Sequence, residues 1–317
     1  MNSPDTLNML QPVVAGLHAY IGAKGTNKAI VAFDLDWTLI RTVRGRFPKD
    51  EDDWAFLPNR LSSLKAYQDA GNTLVIFTNQ GYKGAKLTIA INRINKVIAA
   101  LTAAGIQPWV FAATGEGSAY RKPNIGMWQV FVQYFPDWDK VSSFYVGDAA
   151  GRPTDFSAND RDFAANVRIP FYTPEEIFPQ NTVTIPDTRT MFIFVGMPGS
   201  GKTTYYQKNL APKGWIHVNQ DTLKTQPKMI KAVRDGLASG KSVAVDATNP
   251  SVDKRREYIM LAVEYQIPTM IVYFVGNGYE GNKLRPHPVP DIAYNMYYKN
   301  LVEPNPTLDY VPVVELS

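Results

Sequence analysis

The stretch MFIFVGMPGSGKTT, residues 191–204, decides the fold of the second half of the chain. Apolar residues fill positions 191–195, as in a buried strand of a parallel sheet, and a glycine-rich turn follows. Lys202 and Thr203 complete the pattern of a phosphate-binding loop, whose backbone N–H groups cradle phosphates at the start of a helix. A strand, a glycine-rich turn and a helix in this order predict an α/β domain.

Each residue type in this loop has a chemical reason. The lysine reaches the β- and γ-phosphates of a nucleotide, and the threonine hydroxyl binds Mg²⁺. The nucleotide-binding residues predicted in the loop are Gly196, Gly199, Ser200, Gly201, Lys202, Thr203 and Thr204. The alternative is a glycine-rich turn that binds nothing, but the match to the whole pattern favours a nucleotide.

A second stretch, FDLDWTLI at residues 33–40, lies in the other half of the chain. Residues 29–36 predict a buried strand that ends in two carboxylates, Asp34 and Asp36. One carboxylate can attack phosphorus, and the other can protonate the leaving oxygen and then deprotonate water. A phosphate dianion beside two carboxylates also needs a cation, so Mg²⁺ is expected.

Three later residues complete a phosphate-handling set in this half. Thr78 ends the strand TLVIFT and offers a hydroxyl, Lys122 supplies a positive charge, and Asp148 ends another strand as a third carboxylate for the metal. Taken singly, these residues could be a turn residue, a surface lysine and a helix cap. Their order and their positions at strand ends favour the catalytic interpretation.

A kinase also needs groups that act on its acceptor. Asp221 lies just past the predicted strand WIHVN, where a base should lie at the phosphate-loop face. Asp246 ends the strand SVAVD and could hold Mg²⁺, its water or the acceptor. The segments KRREY (254–258) and NKLR (282–285) bring cations that could stabilise the transferring phosphoryl group, or could form a solvated helix face.

Two α/β domains are predicted. Short β-rich runs alternate with amphipathic stretches, which is typical of doubly wound folds. The proline-containing stretch FPQNTVTIPDTR interrupts this alternation. We therefore expect a first domain over residues 1–178, a linker over 179–189 and a second domain over 190–317.

Composition excludes several site classes. The 317 residues include no cysteine and three histidines, so disulfides, cysteine-based zinc sites and a cysteine nucleophile are excluded, and a multi-histidine metal site is not expected. The net charge of +4 is compatible with a polyanionic partner but does not demonstrate one. The first twelve residues lack a signal-peptide pattern, and no apolar run approaches roughly 20 residues. We expect a soluble intracellular protein.

Four segments resemble the motifs of the haloacid dehalogenase (HAD) phosphatase superfamily in their residues and in their order along the chain. They are FDLDWTLI, TLVIFTNQ, YRKP and VGDAAGR. The resemblance implies a HAD-like Rossmannoid first domain in which Asp34 is the nucleophile and Asp36 the acid/base. The phosphate-binding residues that it implies are Thr78, Asn79 and Lys122. With Thr203 of the phosphate loop, the predicted metal ligands of the chain are Asp34, Asp36, Asp148 and Thr203.

The chain from about Lys28 onward resembles the polynucleotide kinase/3′-phosphatase family, with a phosphatase domain before a P-loop kinase domain. GDAAGRP followed by NDR, HVNQDTL, DATNP and HPVPDIAYNMYYKNLVEP carry this resemblance. It implies removal of 3′-phosphates and ATP-dependent phosphorylation of 5′-hydroxyls on nucleic-acid ends; DNA is favoured over RNA as the substrate, but the sequence does not decide between them. It also implies that Asp221 is the base, that Arg285 contacts the nucleotide phosphates, and that Arg255 and Asp246 act on the acceptor or transition state.

The sequence departs from the family pattern at several positions. Trp37 stands where DxDGT has glycine, Gln220 replaces an arginine, and Glu257 replaces the second arginine of a segment that reads SRARY in the family. The family's forkhead-associated module is absent, so docking to phosphorylated scaffolds is not expected. Partners of the implied function are a ligase or other repair proteins, with no membrane association.

Two other functions share this residue inventory. A phosphatase–kinase pair acting on a small metabolite would use the same catalytic residues, and only the family phrases outside the motifs favour a nucleic acid. A module that binds strand ends with one inactive site is the other alternative, and the complete set of residues argues against it.

Overall fold

A computed structural model describes residues 9–115, 117–285 and 287–317. Residues 1–8, which make up most of the stretch in which we expected no signal peptide, lie outside the described residues. The chain divides into two compact units, Met1–Pro179 and Gln180–Ser317. Between residues 179 and 189 the chain forms neither helix nor strand.

The described part of the first unit contains nine strands and five α-helices. The strands are β1 (Gln11–Val14), β2 (Leu17–Tyr20), β3 (Ala29–Phe33), β4 (Ile40–Arg41), β5 (Ala55–Phe56), β6 (Thr73–Asn79), β7 (Trp109–Ala113), β8 (Asp139–Val146) and β9 (Phe171–Tyr172). The helices are α1 (Arg60–Asp69), α2 (Ala85–Ala103), α3 (Gly126–Val132), α4 (Asn159–Val167) and α5 (Pro174–Ile177).

Seven of these strands form one sheet in the order β1-β2-β7-β6-β3-β8-β9. The five neighbouring strands β7, β6, β3, β8 and β9 pair in parallel. The strands β1 and β2 are antiparallel and extend the sheet at the β7 edge. The chain passes from β3 to β6 on one side and later to β8 on the other. The carboxyl end of β3 is therefore a point where the strand order reverses, which is where ligands bind in open α/β sheets.

Both faces of this sheet are buried, as expected for a doubly wound fold. Alternate residues of β3 point to opposite faces, so Val31 and Phe33 join one hydrophobic cluster while Ile30 and Ala32 join another. The first cluster includes the apolar face of α2, and the second includes residues of α3 and α4.

The second unit contains five strands and several helices among its described residues. The strands are β10 (Met191–Gly196), β11 (Ile216–Asn219), β12 (Val243–Asp246), β13 (Thr269–Phe274) and β14 (Val313–Leu316). The α-helices are α6 (Lys202–Tyr205), α7 (Gln220–Leu223), α8 (Gln226–Ala238), α9 (Val252–Glu264), α10 (Gly278–Lys283), α11 (Asp291–Asn300) and α12 (Pro306–Asp309). A π-helical turn (Tyr206–Leu210) and a 3₁₀ turn (Ala211–Lys213) follow α6.

The strands of the second unit pair in parallel in the order β11-β12-β10-β13-β14. The phosphate loop follows the central strand β10, whose neighbours β12 and β13 come later in the chain. The predicted α/β fold class is thus confirmed for both units. The antiparallel edge strands β1 and β2 were not predicted, because their short segments lack a strong alternating pattern. Among the described residues, no helix is long and apolar enough to cross a membrane.

Arg255 has a structural position that contradicts its predicted role at the acceptor. Its side chain is fully buried, and its Nε and Nη2 atoms donate to the two carboxylate oxygens of Asp309 at 2.7 and 3.1 Å. Its Nη1 atom donates to the carbonyl oxygens of Pro250 and Val302, both at 3.0 Å. These contacts tie α9 to α12 and leave the guanidinium no exposed surface for an acceptor.

We expect Asp309→Ala to lower the free energy of unfolding of the second unit by about 3–5 kcal/mol, because it leaves a buried guanidinium without its counter-charge. Urea denaturation of the variant and the wild-type protein measures this difference. Asp235→Ala is the matched control, since Asp235 forms an exposed ion pair with Lys231. Equal stability of the two variants would contradict a structural role for the Arg255–Asp309 pair.

Candidate active sites

The first candidate site is centred on the ammonium group of Lys122. This side chain is only 3% exposed, and its Nζ atom donates to Asp34, to Asp160 at 2.8 Å and to the Tyr145 hydroxyl at 2.9 Å. Asp34 follows β3, Tyr145 lies in β8 and Asp160 lies in the first turn of α4. The structure thus brings a predicted nucleophile and a predicted phosphate-binding lysine into direct contact.

Burial and charge shift the pKa values in this cluster. Burial raises the pKa of Asp34 to about 7, although Lys122 opposes this shift, and the neighbouring Asp160 adds to it. Burial alone would lower the pKa of Lys122, but Asp160 and Asp34 outweigh it and raise this pKa above its ordinary value. These shifts favour the charged form of Lys122 and the neutral form of Asp34.

Three carboxylates in this site are close enough to share a cation. Asp34, Asp148 and Asp160 each offer an oxygen, and these oxygens lie within 4.8 Å of one another. Thr38 orients Asp148 by donating to its carboxylate at 3.3 Å and accepting from its backbone N–H at 3.1 Å. Clustered carboxylate oxygens suit a hard divalent cation, so this donor set fits the metal that the sequence predicts.

The Asp36 carboxylate lies outside that cluster, which contradicts its prediction as a metal ligand through its side chain. Arg93 on α2 donates to both of its oxygens, at 2.8 and 3.0 Å, and Gln80 donates to one of them at 2.9 Å. The Asp36 side chain is 35% exposed, whereas the Arg93 side chain is fully buried. Arg93 and Gln80 therefore hold Asp36 at the mouth of the site, where an acid or base would meet substrate.

Thr78 and Asn79, at the end of β6, differ in the residues that their side chains contact. Thr78 is buried and its hydroxyl accepts from Gln80 at 2.8 Å. The Asn79 side chain accepts from the backbone N–H of Lys122 at 2.9 Å and donates to the carbonyl of that residue at 3.1 Å. Both amide atoms of Asn79 thus hold the backbone of Lys122, and Asn79 acts on the site through that lysine.

Trp37 follows the first pair of carboxylates with a φ of 62°. This is the left-handed region, which favours glycine because a side chain there is strained. The backbone at Trp37 therefore has the conformation that glycine favours in a tight turn, although the side chain at this position is a half-buried indole.

The second candidate site contains the phosphate loop after β10. Gly199 and Gly201 have φ values of 79° and 95°. A Cβ atom on Gly199 would lie 2.2 Å from the carbonyl oxygen of Gly278, so only glycine lets the loop pack against α10. Ser200 is half-buried in the loop, Gly201 precedes α6, and Thr204 is exposed in the first turn of that helix.

Lys202 lies within this loop with its ammonium turned toward the backbone. Its Nζ atom donates to the carbonyl oxygens of Gly196 and Met197 at 2.8 and 2.7 Å. Burial lowers the pKa of Lys202 to about 8, and the more distant Asp246 only partly offsets this effect. Phosphate oxygens in the loop would restore the missing negative charge.

Asp246 is the central acceptor of the second site. One of its oxygens accepts from Thr203 Oγ1 at 2.7 Å, from Asn219 Nδ2 at 2.8 Å and from His217 Nε2 at 2.9 Å. Burial alone would raise the pKa of Asp246, but these donors lower it below its ordinary value. The carboxylate is therefore fixed in its charged form beside the predicted metal-binding hydroxyl of Thr203.

Asp221 and Arg285 form an ion pair with Nη2 and Oδ2 at 2.8 Å. Asp221 lies in α7, directly after β11, and its side chain is 70% exposed. Arg285 follows α10. The structure thus brings a predicted base and a predicted phosphate-binding arginine together at the same face as the phosphate loop.

Sequence reasoning missed several residues of these sites. Arg93 lies on the buried face of α2 with Ala90, Ile94 and Val97, so a charge on an apolar helix face was the signal that could have found it. Asp160 belongs to the NDR motif at residues 159–161, but the sequence analysis predicted no function for it. His217 and Asn219 belong to HVNQDTL and Gln80 belongs to TLVIFTNQ, but none of the three received a role, because only the folded chain brings them to Asp246 and Asp36.

Two family descriptions match the two units. "Polynucleotide kinase 3 phosphatase" matches residues 29–178, and "AAA domain" matches residues 191–276. The two matches cover the carboxylate–lysine cluster and the phosphate loop, respectively.

Relatives of known name extend over nearly the whole chain. The chain is 31% identical to a bifunctional polynucleotide phosphatase/kinase of Schizosaccharomyces pombe, over 94% of this chain and 82% of that protein. It is 30% identical to a putative enzyme of the same name from Acanthamoeba polyphaga mimivirus, over 87% of this chain and 81% of that protein. A polynucleotide 3′-phosphatase of Arabidopsis thaliana is 35% identical over 49% of this chain and 25% of that protein.

The first two relatives match both units, and the two clusters of polar residues lie at the carboxyl ends of strands in those units. This chain belongs to the bifunctional polynucleotide phosphatase/kinase family.

Proposed function

We propose that this chain hydrolyses 3′-phosphates and phosphorylates 5′-hydroxyls at nucleic-acid ends, and that its substrate is DNA rather than RNA. The observation that carries the proposal is the presence of two complete phosphate-handling sites in one member of this family. The products, a 3′-hydroxyl and a 5′-phosphate, are the ends that a ligase joins, so a ligase is the expected partner.

In the phosphatase step, Asp34 attacks the 3′-phosphate and forms an aspartyl phosphate. Lys122 lies in contact with Asp34 and supplies a positive charge for the phosphate oxygens. Asp36 protonates the departing 3′-oxygen and then takes a proton from the water that hydrolyses the intermediate. Arg93 and Gln80 act as positioning residues, since they fix the Asp36 carboxylate.

Mg²⁺ is the metal that we propose for both sites. Asp34 and Asp148 would hold it in the first unit, and Thr203 with Asp246 in the second, because all four offer oxygen atoms. When bound, the ion supplies positive charge that lowers the repulsion between a phosphate and the nearby carboxylates.

In the kinase step, the phosphate loop and Lys202 hold the phosphates of ATP. Asp221 accepts the proton of the 5′-hydroxyl, and Arg285 contacts the transferring phosphoryl group. In the structure these two side chains are paired with each other, and both are partly exposed beside the phosphate loop. Asp246 acts beside Thr203.

A gapped DNA duplex with a 3′-phosphate and a 5′-hydroxyl tests the proposal, with Mg²⁺ and ATP present and mass spectrometry of each strand. We expect the 3′ end to lose a phosphate and the 5′ end to gain one, faster than on the matched RNA duplex. If the protein hydrolyses an aryl phosphate but changes neither strand, nucleic acid is not the substrate, and a small metabolite is the substrate instead.

The two activities should be separable by single substitutions. Asp34→Asn removes the nucleophile, so we expect it to abolish 3′-phosphatase activity and leave 5′-kinase activity unchanged. Lys202→Ala should have the opposite effect, because it removes the cation that holds the ATP phosphates. Strand-resolved mass spectrometry measures both activities in one reaction. Loss of both activities in either folded variant would contradict the two-site mechanism.

The stability of the metal-free first unit should depend on pH through Asp34. Its pKa is raised to about 7 by burial, so between about pH 4 and pH 7 the folded state binds a proton that the unfolded chain has released. The free energy of unfolding should therefore fall as pH rises through this interval, by at most about 4 kcal/mol. Asp34→Asn lacks this titration and should gain stability relative to wild type.

Urea denaturation in EDTA at several pH values from 4 to 8 measures this pH dependence. Asp137→Asn is the control, since it removes an exposed carboxylate from the same unit. Parallel pH curves for wild type and Asp34→Asn would show that Asp34 does not titrate in this interval.

Substitution of His217 should lower the 5′-kinase activity and leave the 3′-phosphatase activity unchanged. His217→Phe keeps an aromatic ring against Tyr206, which stacks on His217 at 3.8 Å between ring centroids, but removes one donor to Asp246. We expect a loss of about 10–100-fold in 5′-kinase kcat/KM with unchanged 3′-phosphatase activity. His217→Gln restores a side-chain N–H donor and should recover part of the loss. Full kinase activity in His217→Phe with a loss in His217→Gln would mean that the ring, and not the hydrogen bond, matters.

A further inference from the structure

Trp37 differs from the other five tryptophans of the chain in its surroundings. Each of those five packs its ring against another aromatic ring, with centroid separations of 4.7–5.3 Å; they are Trp54, Trp109, Trp128, Trp138 and Trp215. In the described part of the chain, the ring of Trp37 contacts no other aromatic ring, and it packs against neither of the two hydrophobic clusters of the first unit described above. Core packing therefore does not account for this indole.

Trp37 and Asp36 are the two residues through which their motif reaches the surface. Between positions 29 and 42 every other residue is buried. Thr38, the next residue, turns inward and donates to the carboxylate of Asp148. The half-buried indole therefore opens to solvent directly beside the Asp36 carboxylate, at the mouth of the first site.

The backbone at Trp37 is strained, and glycine would relieve this strain. Its φ of 62° lies in the left-handed region, where a bulky residue is a genuine outlier. The backbone N–H of Trp37 donates to the carbonyl oxygen of Ile40 at 2.7 Å, so the turn itself is fixed. Strained residues of this kind cluster at active sites and ligand-binding sites, where a contact with the ligand offsets the strain.

The chemistry of Asp36 indicates which part of the substrate lies beside the indole. In the proposed phosphatase step, Asp36 protonates the departing 3′-oxygen, so its carboxylate must lie within hydrogen-bonding distance of that oxygen. The 3′-oxygen belongs to the terminal nucleoside, whose base is only a few bonds away. A nucleobase can stack on an aromatic side chain whatever its sequence, because every base has a π-face.

We propose that the indole of Trp37 stacks on the nucleobase of the 3′-terminal nucleotide, so that the phosphatase prefers ends that carry a base. This inference rests on the proposed 3′-phosphatase function and adds a residue that determines its specificity. Trp37 binds the leaving nucleoside, whereas Asp34 and Lys122 act on the phosphate.

Two DNA oligonucleotides that differ only in their last nucleotide test the proposal. One ends in a thymidine 3′-phosphate, and the other ends in an abasic tetrahydrofuran 3′-phosphate. Release of inorganic phosphate by the full chain with Mg²⁺ gives kcat and KM for each oligonucleotide. Trp37→Gly removes the indole and supplies the residue that this backbone conformation favours, so the variant should fold.

We expect Trp37→Gly to lower kcat/KM for the base-bearing end by about 5–150-fold, which corresponds to the loss of one stacked base. The loss should appear mainly as a higher KM, because stacking holds the nucleoside before and during the reaction alike. For the abasic end, kcat/KM should change by less than about twofold. Trp37→Phe keeps an aromatic ring and should recover part of the loss.

Tyr134→Ala is the control for removal of an aromatic side chain from the same unit. Tyr134 is 51% exposed, and its ring lies 5.1 Å from that of Trp109, the first residue of β7. It therefore lies at the edge of the sheet opposite the carboxyl ends of the strands. Its substitution should leave kcat/KM unchanged for both oligonucleotides.

The outcomes distinguish this inference from the function on which it rests. If wild type and Trp37→Gly both act equally well on the two ends, the base makes no contact with the indole and the inference alone is wrong. If Trp37→Gly loses activity equally on both ends, Trp37 supports the turn that carries Asp36 and not the base, which also overturns the inference. If wild type releases phosphate from neither end, the proposed 3′-phosphatase function fails together with it.

Discussion

The ammonium group of Lys122 is buried, and the chemistry of the first unit depends on how that charge is neutralised. Asp34 and Asp160 both contact it, and their effect outweighs burial and raises its pKa. Lys202 in the second unit has a different environment, because its partners are neutral carbonyl oxygens and its pKa falls to about 8. The first site carries its own counter-charges, whereas among the described residues no carboxylate contacts the ammonium group of Lys202 directly.

The sheet topology explains how such distant residues meet. In each unit the site lies at the carboxyl end of a strand from which the chain continues to both sides, β3 in one sheet and β10 in the other. Asp34 and Asp160 are therefore in contact with the same lysine although 126 positions separate them, as counted from their numbers. The same geometry leaves Asp221 and Asp246 on one side of β10 and a cavity beside the phosphate loop on the other.

Sequence reasoning succeeded where a residue type and a backbone position coincide. Asp34 and Asp36 after β3, Lys202 in the loop after β10, Asp221 after β11 and Asp246 at the end of β12 all lie near the carboxyl ends of apolar strands, as the sequence predicts. It was wrong for Arg255, which pairs with Asp309 inside the unit. Local sequence cannot distinguish a buried arginine from an exposed one when its counter-charge lies 54 residues away.

The sequence by itself determined the α/β class, the two phosphate-handling motifs and their order along the chain, because these depend on local patterns of strands, turns and charged residues. Only the tertiary structure decided that Arg93 and Gln80 hold Asp36, that His217 and Asn219 hold Asp246, and that residues 180–185 line a cavity. These contacts join segments that share no local pattern, and they form because packing of the sheets and helices brings the segments together.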